Sequence, residues 1–89
     1  MNFDDAIAAV KRLGVTTALS QEELLELYSL YKQSTIGNIN IDKPYIWNTV
    51  DRAKWNAWKS KECIHQDDAK QLYVRYVEHL LLTHHQLYD

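Results

Sequence analysis

The sequence predicts an all-α fold, a four-helix bundle with a long loop between its second and third helices, on the basis of two observations. Two glycines and one proline are few for 89 residues, and these residues most often interrupt helices. Apolar side chains also recur at spacings of three and four in four separate segments, which is the periodicity of one helical face. Because this length suits one domain, we expect residues 1–89 to form a single domain.

The first half of the chain is predicted to hold two helices. An apolar stripe at helical spacing covers residues 3–13, and its members are Phe3, Ile7, Val10 and Leu13. Gly14 follows and is the predicted C-terminal stop. Ser20 and Glu23 have the spacing of a capping box, in which each side chain bonds the backbone N–H of the other residue. The second helix is therefore predicted to start there and to end near Ile36.

The second half is predicted to hold the long loop and two further helices. Residues 38–48 contain asparagines, an aspartate and the proline, which indicates an ordered surface loop of a length that is often functional. Asn48 and Asp51 are candidate caps for a third helix over residues 49–60. A fourth helix is predicted over residues 66–85, which present one broad apolar face and begin with aspartates that suit the helix dipole.

The composition limits the classes of function. Ten basic and twelve acidic residues give a net charge of −2, whereas a nucleic-acid-binding domain is usually basic, so no nucleic-acid partner is expected. Cys63 is the only cysteine, so no internal disulfide can form, which is typical of a reducing compartment. The sequence has no apolar run of membrane-spanning length and no signal-peptide pattern. We therefore expect a soluble, cytoplasmic and monomeric protein.

Aromatic and basic side chains lie together on the predicted second helix. Tyr28, Tyr31 and Lys32 fall on one face, where a ring can stack a purine and an ammonium group can hold a phosphate. Further candidates of these two kinds on the other helices are Lys11, Arg12, Lys54 and Tyr73. Each of these residues taken alone is ordinary, since tyrosines often line the edge of a core and most lysines are solvated.

The order of residues 28–40 gives these candidates more weight. This stretch reads YSLYKQSTIGNIN and resembles the signature Y-x-x-Y-K-Q-[AS]-T-x-G-[DN]-x-N of acyl-CoA-binding proteins. Other parts of the chain that are similar to this family are Val10-Lys11-Arg12-Leu13, Lys43-Pro44, the block AKWNAW from Ala53 to Trp58, and Asp68-Ala69 followed by Tyr73. The resemblance covers nearly the whole chain, and its central motif is long and free of low-complexity sequence.

The resemblance implies an up-down-down-up four-helix bundle that binds and carries medium- to long-chain acyl-CoA esters and is not an enzyme. It implies no metal and no cofactor, with acyl-CoA as the ligand. The positions that correspond to nucleotide contacts in the family are Tyr28, Lys32 and Lys54 at the adenosine 3′-phosphate, Tyr31 and Tyr73 at the adenine, and Lys11 or Arg12 at the other phosphates. The positions that correspond to the lining of the acyl groove are Ala8, Ala9 and Leu25.

The chain departs from the family pattern at several places, one of which is the loop between the first two helices, about two residues longer than in many members. Val50 stands where the family often has a lysine, and Arg52 is a candidate replacement for that charge. His65 stands where a serine or threonine usually caps the fourth helix. The segment Tyr45–Trp47 makes the long loop unusually apolar, and we expect it to alter the preferred length of the acyl chain.

Two other functions are compatible with the residues. An enzyme would need an activated nucleophile, and Cys63 has only His65 nearby in the sequence. No two histidines have the spacing of a zinc site, and His84 and His85 are expected to be solvated at the end of a helix. A protein-interaction bundle is the second alternative, because the loop aromatics could meet a partner helix, a membrane surface or an enzyme that uses acyl-CoA.

Overall fold

The computed structural model describes residues 1–85 and contains four α-helices. They are α1 (Phe3–Thr16), α2 (Gln21–Thr35), α3 (Thr49–Lys59) and α4 (Gln66–His85). No strand occurs in the described part of the chain, so the predicted all-α fold is confirmed. Within the same residues, no helix is long and apolar enough to cross a membrane.

Side-chain caps fix the starts of the first two helices. Asn2 caps α1, since the Asp5 N–H donates to Asn2 Oδ1 at 2.8 Å and the Asn2 N–H donates to the Asp5 carboxylate at 3.4 Å. The predicted capping box of α2 is confirmed. The Glu23 N–H donates to Ser20 Oγ at 3.1 Å, and the Ser20 N–H donates to Glu23 Oε1 at 2.8 Å. Each box satisfies two backbone donors at the start of its helix.

Two predictions about helix ends are wrong. Gly14 lies inside α1, because the helix continues to Thr16 and ends where Thr17 takes an extended backbone with φ of −142° and ψ of 136°. A glycine inside a helix costs only about 0.5–1 kcal/mol, so it does not stop a helix by itself. Asn48 stands before α3 but its side chain forms no cap, since its backbone, with φ of −89° and ψ of 69°, is not in the extended conformation that N-cap residues usually take.

The apolar core joins three of the four helices. Its buried side chains come from α1, α2 and α4, and they are Ala6, Ala9, Leu13, Leu27, Leu30, Tyr73, Val77 and Leu80. The third helix supplies none of this cluster. It buries Trp58 instead, which is 2 % exposed and lies beside Lys32 of α2.

Contacts at both ends of the bundle show that α2 and α4 are antiparallel. Near the end of α2, the Gln33 Nε2 donates to the carbonyl of Ile64, just before α4, at 2.8 Å. At the opposite end, His84 Nε2 lies 3.0 Å from Glu23 Oε2. The last turn of α4 is therefore next to the first turn of α2.

The other two helices complete an up-down-down-up bundle. Trp58, near the end of α3, donates from Nε1 to the Gly37 carbonyl at 2.8 Å, just beyond the end of α2, so these two helices are parallel. Phe3 at the start of α1 lies against Tyr73 in the first half of α4. This arrangement confirms the helix directions that the family resemblance implies.

Three side chains of α3 fasten the loop over residues 37–48. Each donates a hydrogen bond to a loop carbonyl, namely Arg52 Nη1 to Pro44 at 2.9 Å, Trp55 Nε1 to Ile41 at 2.8 Å and Trp58 Nε1 to Gly37 at 2.8 Å. Gly37 begins the loop with φ of 101°, a conformation that favours glycine. These bonds give hydrogen-bond donors to loop carbonyls that lie outside any helix or sheet.

Candidate ligand-binding site

Two ammonium groups converge on one tyrosine ring where α2 meets α3. The Lys32 Nζ lies 5.9 Å and the Lys54 Nζ 5.6 Å from the centroid of the Tyr28 ring, within reach of a cation–π contact. Burial raises the pKa of the Tyr28 hydroxyl, and the charge of Asp51 adds to the shift. A tyrosine hydroxyl is protonated at neutral pH even at its ordinary pKa of about 10, so it can donate a hydrogen bond. The structure brings together these three sequence-predicted residues, which we call the cationic cluster.

Trp58 belongs to the same place, although the sequence does not single it out as a site residue. The Lys32 Nζ lies 5.6 Å from its ring centroid. The indole N–H is already bonded to the Gly37 carbonyl at 2.8 Å, so the ring is fixed and gives Lys32 a rigid apolar surface. The packing of α3 on α2 decides where this ring lies, and a sequence pattern alone does not contain that information.

An open groove of about 320 Å³ runs between the first halves of α2 and α3. Tyr28 and Lys54 supply polar lining, and the apolar lining consists of Leu24, Leu25, Val50 and Ala53. Leu25 is a sequence-predicted groove residue, whereas the other three apolar residues are not. Val50 remains 63 % exposed, so one apolar wall faces the solvent. A groove of this kind beside a cationic cluster suits a ligand with an anionic head and an apolar chain.

An aromatic cluster of Phe3, Tyr31 and Tyr73 lies where α1, α2 and α4 meet. The ring centroids of Phe3 and Tyr73 are 5.2 Å apart, and each lies 6.2 Å from that of Tyr31. Tyr31 is 40 % exposed and Tyr73 only 4 %, so Tyr31 offers its ring to the solvent and Tyr73 packs beneath it. Burial, followed by the effect of Tyr31, raises the pKa of the Tyr73 hydroxyl. Lys70 adds a cation at 5.7 Å from the Phe3 centroid, which the sequence does not indicate.

The remaining sequence-predicted positions lie on α1. Lys11 and Arg12 are exposed in the second half of this helix. Ala8 is also exposed, whereas Ala9 is 1 % exposed and belongs to the apolar core. None of these four residues lines the groove between α2 and α3, so their contacts with a ligand stay predictions.

One histidine that the sequence places in solvent is instead paired. His84 Nε2 lies 3.0 Å from Glu23 Oε2, and the His84 side chain is 15 % exposed. The prediction of a solvated His84 is wrong because the end of α4 packs against the start of α2, while the side chain of His85 lies outside the described residues. A hydrogen bond from the Ser20 backbone, and then one from His84, hold the pKa of Glu23 below its ordinary value. Across residues 1–85, no three His, Cys, Asp or Glu side chains come together as a metal site.

Comparisons with known proteins agree with this geometry. Residues 1–77 match the family model described as Acyl CoA binding protein. The chain is 46 % identical over 81 residues to acyl-CoA-binding protein homolog 1 of Caenorhabditis elegans, covering 91 % of this chain and 92 % of that protein. It is 43 % identical over 79 residues to the acyl-CoA-binding protein of Saccharomyces cerevisiae, covering 89 % and 88 %.

A solved structure gives the same result for the fold. The crystal structure of Oryza sativa acyl-CoA-binding protein 2 is similar to this chain with a TM-score of 0.87 and 36 % sequence identity. The match covers 94 % of this chain and 91 % of the rice chain. The sequence motif, the bundle and both kinds of relative lead to one conclusion: the chain belongs to the acyl-CoA-binding protein family.

Proposed function

We propose that the chain binds medium- to long-chain acyl-CoA esters between α2 and α3 and carries them without chemical change. The observation that carries this proposal is the convergence of Lys32 and Lys54 on Tyr28 next to an apolar groove. An anionic head beside an apolar chain is the chemistry of an acyl-CoA ester. The relatives named above are called acyl-CoA-binding proteins, which supports the same ligand class.

The cationic cluster suits the nucleotide head of coenzyme A, which carries about four negative charges at neutral pH. We assign the adenosine 3′-phosphate to Tyr28, Lys32 and Lys54, where each charge-assisted hydrogen bond contributes roughly 1.5–3 kcal/mol. Tyr31 is the proposed surface for the adenine, and Tyr73 supports its ring from below. Stacking a base on an aromatic ring contributes about 1–3 kcal/mol.

Residues of α1 have the less direct roles. Lys11 or Arg12 is the proposed contact for the other phosphates, because both side chains are exposed. Ala8 and Ala9 are the proposed contacts of α1 with the acyl chain, together with Leu25 of α2. Ala8 is accessible as it stands, whereas Ala9 is 1 % exposed and meets a ligand only if α1 shifts.

The acyl chain is expected to decide affinity among acyl-CoA esters. Burying one methylene contributes up to about 0.8 kcal/mol, so a palmitoyl chain could contribute on the order of 10 kcal/mol before the costs of ordering are subtracted. The head group then selects for a CoA ester, and the groove lined by Leu24, Leu25 and Val50 selects for chain length. Affinity is expected to rise from butyryl-CoA towards palmitoyl-CoA and to level off where the groove ends.

The remaining parts of the proposal concern the protein as a whole. The chain acts as a single domain over residues 1–89 and as a monomer in the cytoplasm. It uses neither a cofactor nor a metal, and it has no nucleic-acid partner. Transient contact with membranes or with enzymes that use acyl-CoA is compatible with carriage.

Calorimetric titration of the purified protein with palmitoyl-CoA, free CoA and palmitate tests the binding proposal. We expect tight one-to-one binding of the thioester and much weaker binding of both fragments, because only the thioester fills the cationic cluster and the groove together. Failure of palmitoyl-CoA to bind would overturn the proposal and leave a protein-interaction role. Prolonged incubation followed by chromatography should return the thioester intact, and a hydrolysed or transferred acyl group would contradict the absence of catalysis.

A further inference from the structure

The groove between α2 and α3 has a neutral polar residue at the end away from the cationic cluster. Gln21, the first residue of α2, lines the groove one turn before Leu25 and two turns before Tyr28. Val50 lines it from the first turn of α3. The lining is therefore cationic at Lys54, apolar in the middle and neutral polar at Gln21.

Both helical walls of the groove begin in this region. The helix α2 starts at Gln21 and α3 starts at Thr49, so neither helix continues the groove further in this direction. Leu19, the apolar residue just before α2, packs against the core instead. The exposed segment Tyr45–Trp47, which precedes α3, does not line the groove. The apolar surface that α2 and α3 share therefore stops near Gln21.

The side-chain amide of Gln21 is a poor neighbour for an alkyl chain. The residue is exposed, and within residues 1–85 no hydrogen bond joins this amide to another protein group. The amide is therefore hydrated. Methylene groups that covered it would remove it from water without giving it a new partner, which costs free energy. An acyl chain thus gains little affinity by extending past Gln21.

The distance along α2 gives the length of chain that the groove covers. Tyr28 stands seven residues after Gln21, which at 1.5 Å per residue is about 10 Å along the helix axis. An extended chain advances about 1.2 Å per bond, so about eight or nine carbons fit between these two residues. An octanoyl chain that enters from the cationic cluster therefore ends within the groove, whereas a palmitoyl chain reaches Gln21.

We propose that Gln21 is a specificity-determining residue, which sets the far end of the acyl groove and so limits how much of the acyl chain the protein covers. The assignment rests on the proposed function, because it requires the acyl chain to lie in this groove. It adds a residue that selects among acyl-CoA esters by chain length and has no contact with the nucleotide head. Carbons beyond Gln21 add little affinity.

Calorimetric titration of the wild type and two variants with butyryl-, octanoyl-, dodecanoyl- and palmitoyl-CoA tests the role of Gln21. Gln21→Leu replaces the amide by an apolar side chain. It should leave the affinities for butyryl- and octanoyl-CoA unchanged and should bind palmitoyl-CoA about fourfold or more tighter, which corresponds to at least one further buried methylene. Gln21→Glu should weaken palmitoyl-CoA binding without affecting the two short esters, because a carboxylate is harder to remove from water than an amide.

A matched control separates the end of the groove from general surface hydrophobicity. Gln71 is exposed on α4 and lines a different groove, beside Phe3, so Gln71→Leu should leave all four affinities unchanged. Circular dichroism checks that the three variants fold. A gain of the same size at every chain length would overturn the role of Gln21. Absence of a gain in Gln21→Leu, or an equal gain in Gln71→Leu, would overturn it as well.

The wild-type titration distinguishes failure of this role from failure of the proposed function. If the wild type binds palmitoyl-CoA and Gln21→Leu shows no gain that depends on chain length, only the role of Gln21 is overturned. If the wild type binds none of the four esters, the proposed function is overturned and the role of Gln21 with it.

Discussion

The two sides of α2 are built in different ways. Towards α1 and α4, the helix contributes Leu27 and Leu30 to an apolar core that is closed to solvent. Towards α3, it contributes Tyr28 and Lys32 to the cationic cluster and the open groove. Since buried apolar surface contributes about 25 cal/mol per Å², the first side supplies much of the folding free energy. The second side leaves polar and apolar groups available to a ligand.

This difference predicts that stability and ligand binding respond to different substitutions. The core cluster includes no residue of α3, and α3 is held to the rest largely by Trp58 and by side-chain bonds to loop carbonyls. A change on the core side should alter unfolding and spare affinity. A change at a groove or cluster residue of the α3 side, other than the buried Trp58, should alter affinity and spare unfolding.

The largest effect is expected from Leu80→Ala in the core. Leu80 is fully buried, and shortening a buried leucine leaves a cavity that costs about 2–5 kcal/mol. Urea denaturation should show this loss, whereas Leu82→Ala on the same helix, at a side chain 68 % exposed, should change the unfolding free energy by less than about 0.5 kcal/mol. A large loss of palmitoyl-CoA affinity in folded Leu80→Ala would contradict the proposal that core substitutions alter stability and spare binding.

The next effect is expected from Lys54→Ala in the cationic cluster. Loss of one charge-assisted contact of roughly 1.5–3 kcal/mol corresponds to about 10- to 150-fold weaker binding of palmitoyl-CoA by calorimetry. Lys59→Ala is the matched control, because Lys59 is on the same helix and pairs with Glu62 at 2.8 Å, outside the cluster. If both variants bind equally well, the head group lies elsewhere.

A smaller effect is expected from Val50→Ser in the groove wall. Removing an exposed apolar wall should weaken palmitoyl-CoA binding by about 1 kcal/mol, or roughly fivefold, and should leave the weak binding of free CoA unchanged. The control Val15→Ser replaces a valine that is 87 % exposed near the end of α1. An equal loss for butyryl-CoA and palmitoyl-CoA would contradict the assignment of Val50 to the acyl chain.

Local sequence signals predict much of the fold. The spacing of apolar residues predicts all four helices, and the Ser20–Glu23 box predicts the start of α2, because both ends of this interaction lie within one turn. The predictions from Gly14 and Asn48 fail because the ends of these helices depend on more than the residue at that position. A glycine inside a helix costs only about 1 kcal/mol relative to alanine, so the packing of the helix can outweigh it, and the Asn48 backbone is set by a turn with Tyr45.

Only part of the candidate site can be predicted from the sequence. Family resemblance brings out Tyr28, Lys32 and Lys54, which the structure places together. It marks Val50 only as the place of a missing charge, not as groove lining, and it does not bring out Trp58 as a site residue, because their positions depend on how α3 lies along α2. Long-range packing of this kind leaves no periodic pattern within either helix.

The smallest effect concerns Glu23 at the start of α2 and depends on pH. The Ser20 backbone N–H, and then His84, hold the pKa of Glu23 below its ordinary value of 4.5. A carboxylate with a lowered pKa stabilises the folded state fully above the unfolded value, and this contribution is lost as the pH falls through the folded value. Glu23→Gln should therefore lower the unfolding free energy at neutral pH, by about 0.3–1 kcal/mol, and the gap should close below pH 4.5.

Urea unfolding midpoints of the wild type and Glu23→Gln, measured from neutral pH to below pH 4.5, test this prediction. Glu62→Gln is the control, because it removes an exposed ion pair that contributes little. A gap between wild type and Glu23→Gln that stays the same at low pH would mean that the charge of Glu23 does not stabilise the fold. A gap that closes, with the control flat, would show that the charge of Glu23 stabilises the start of α2. The start of α2 would then join the two regions, since Glu23 binds α4 while the next residue, Leu24, lines the groove.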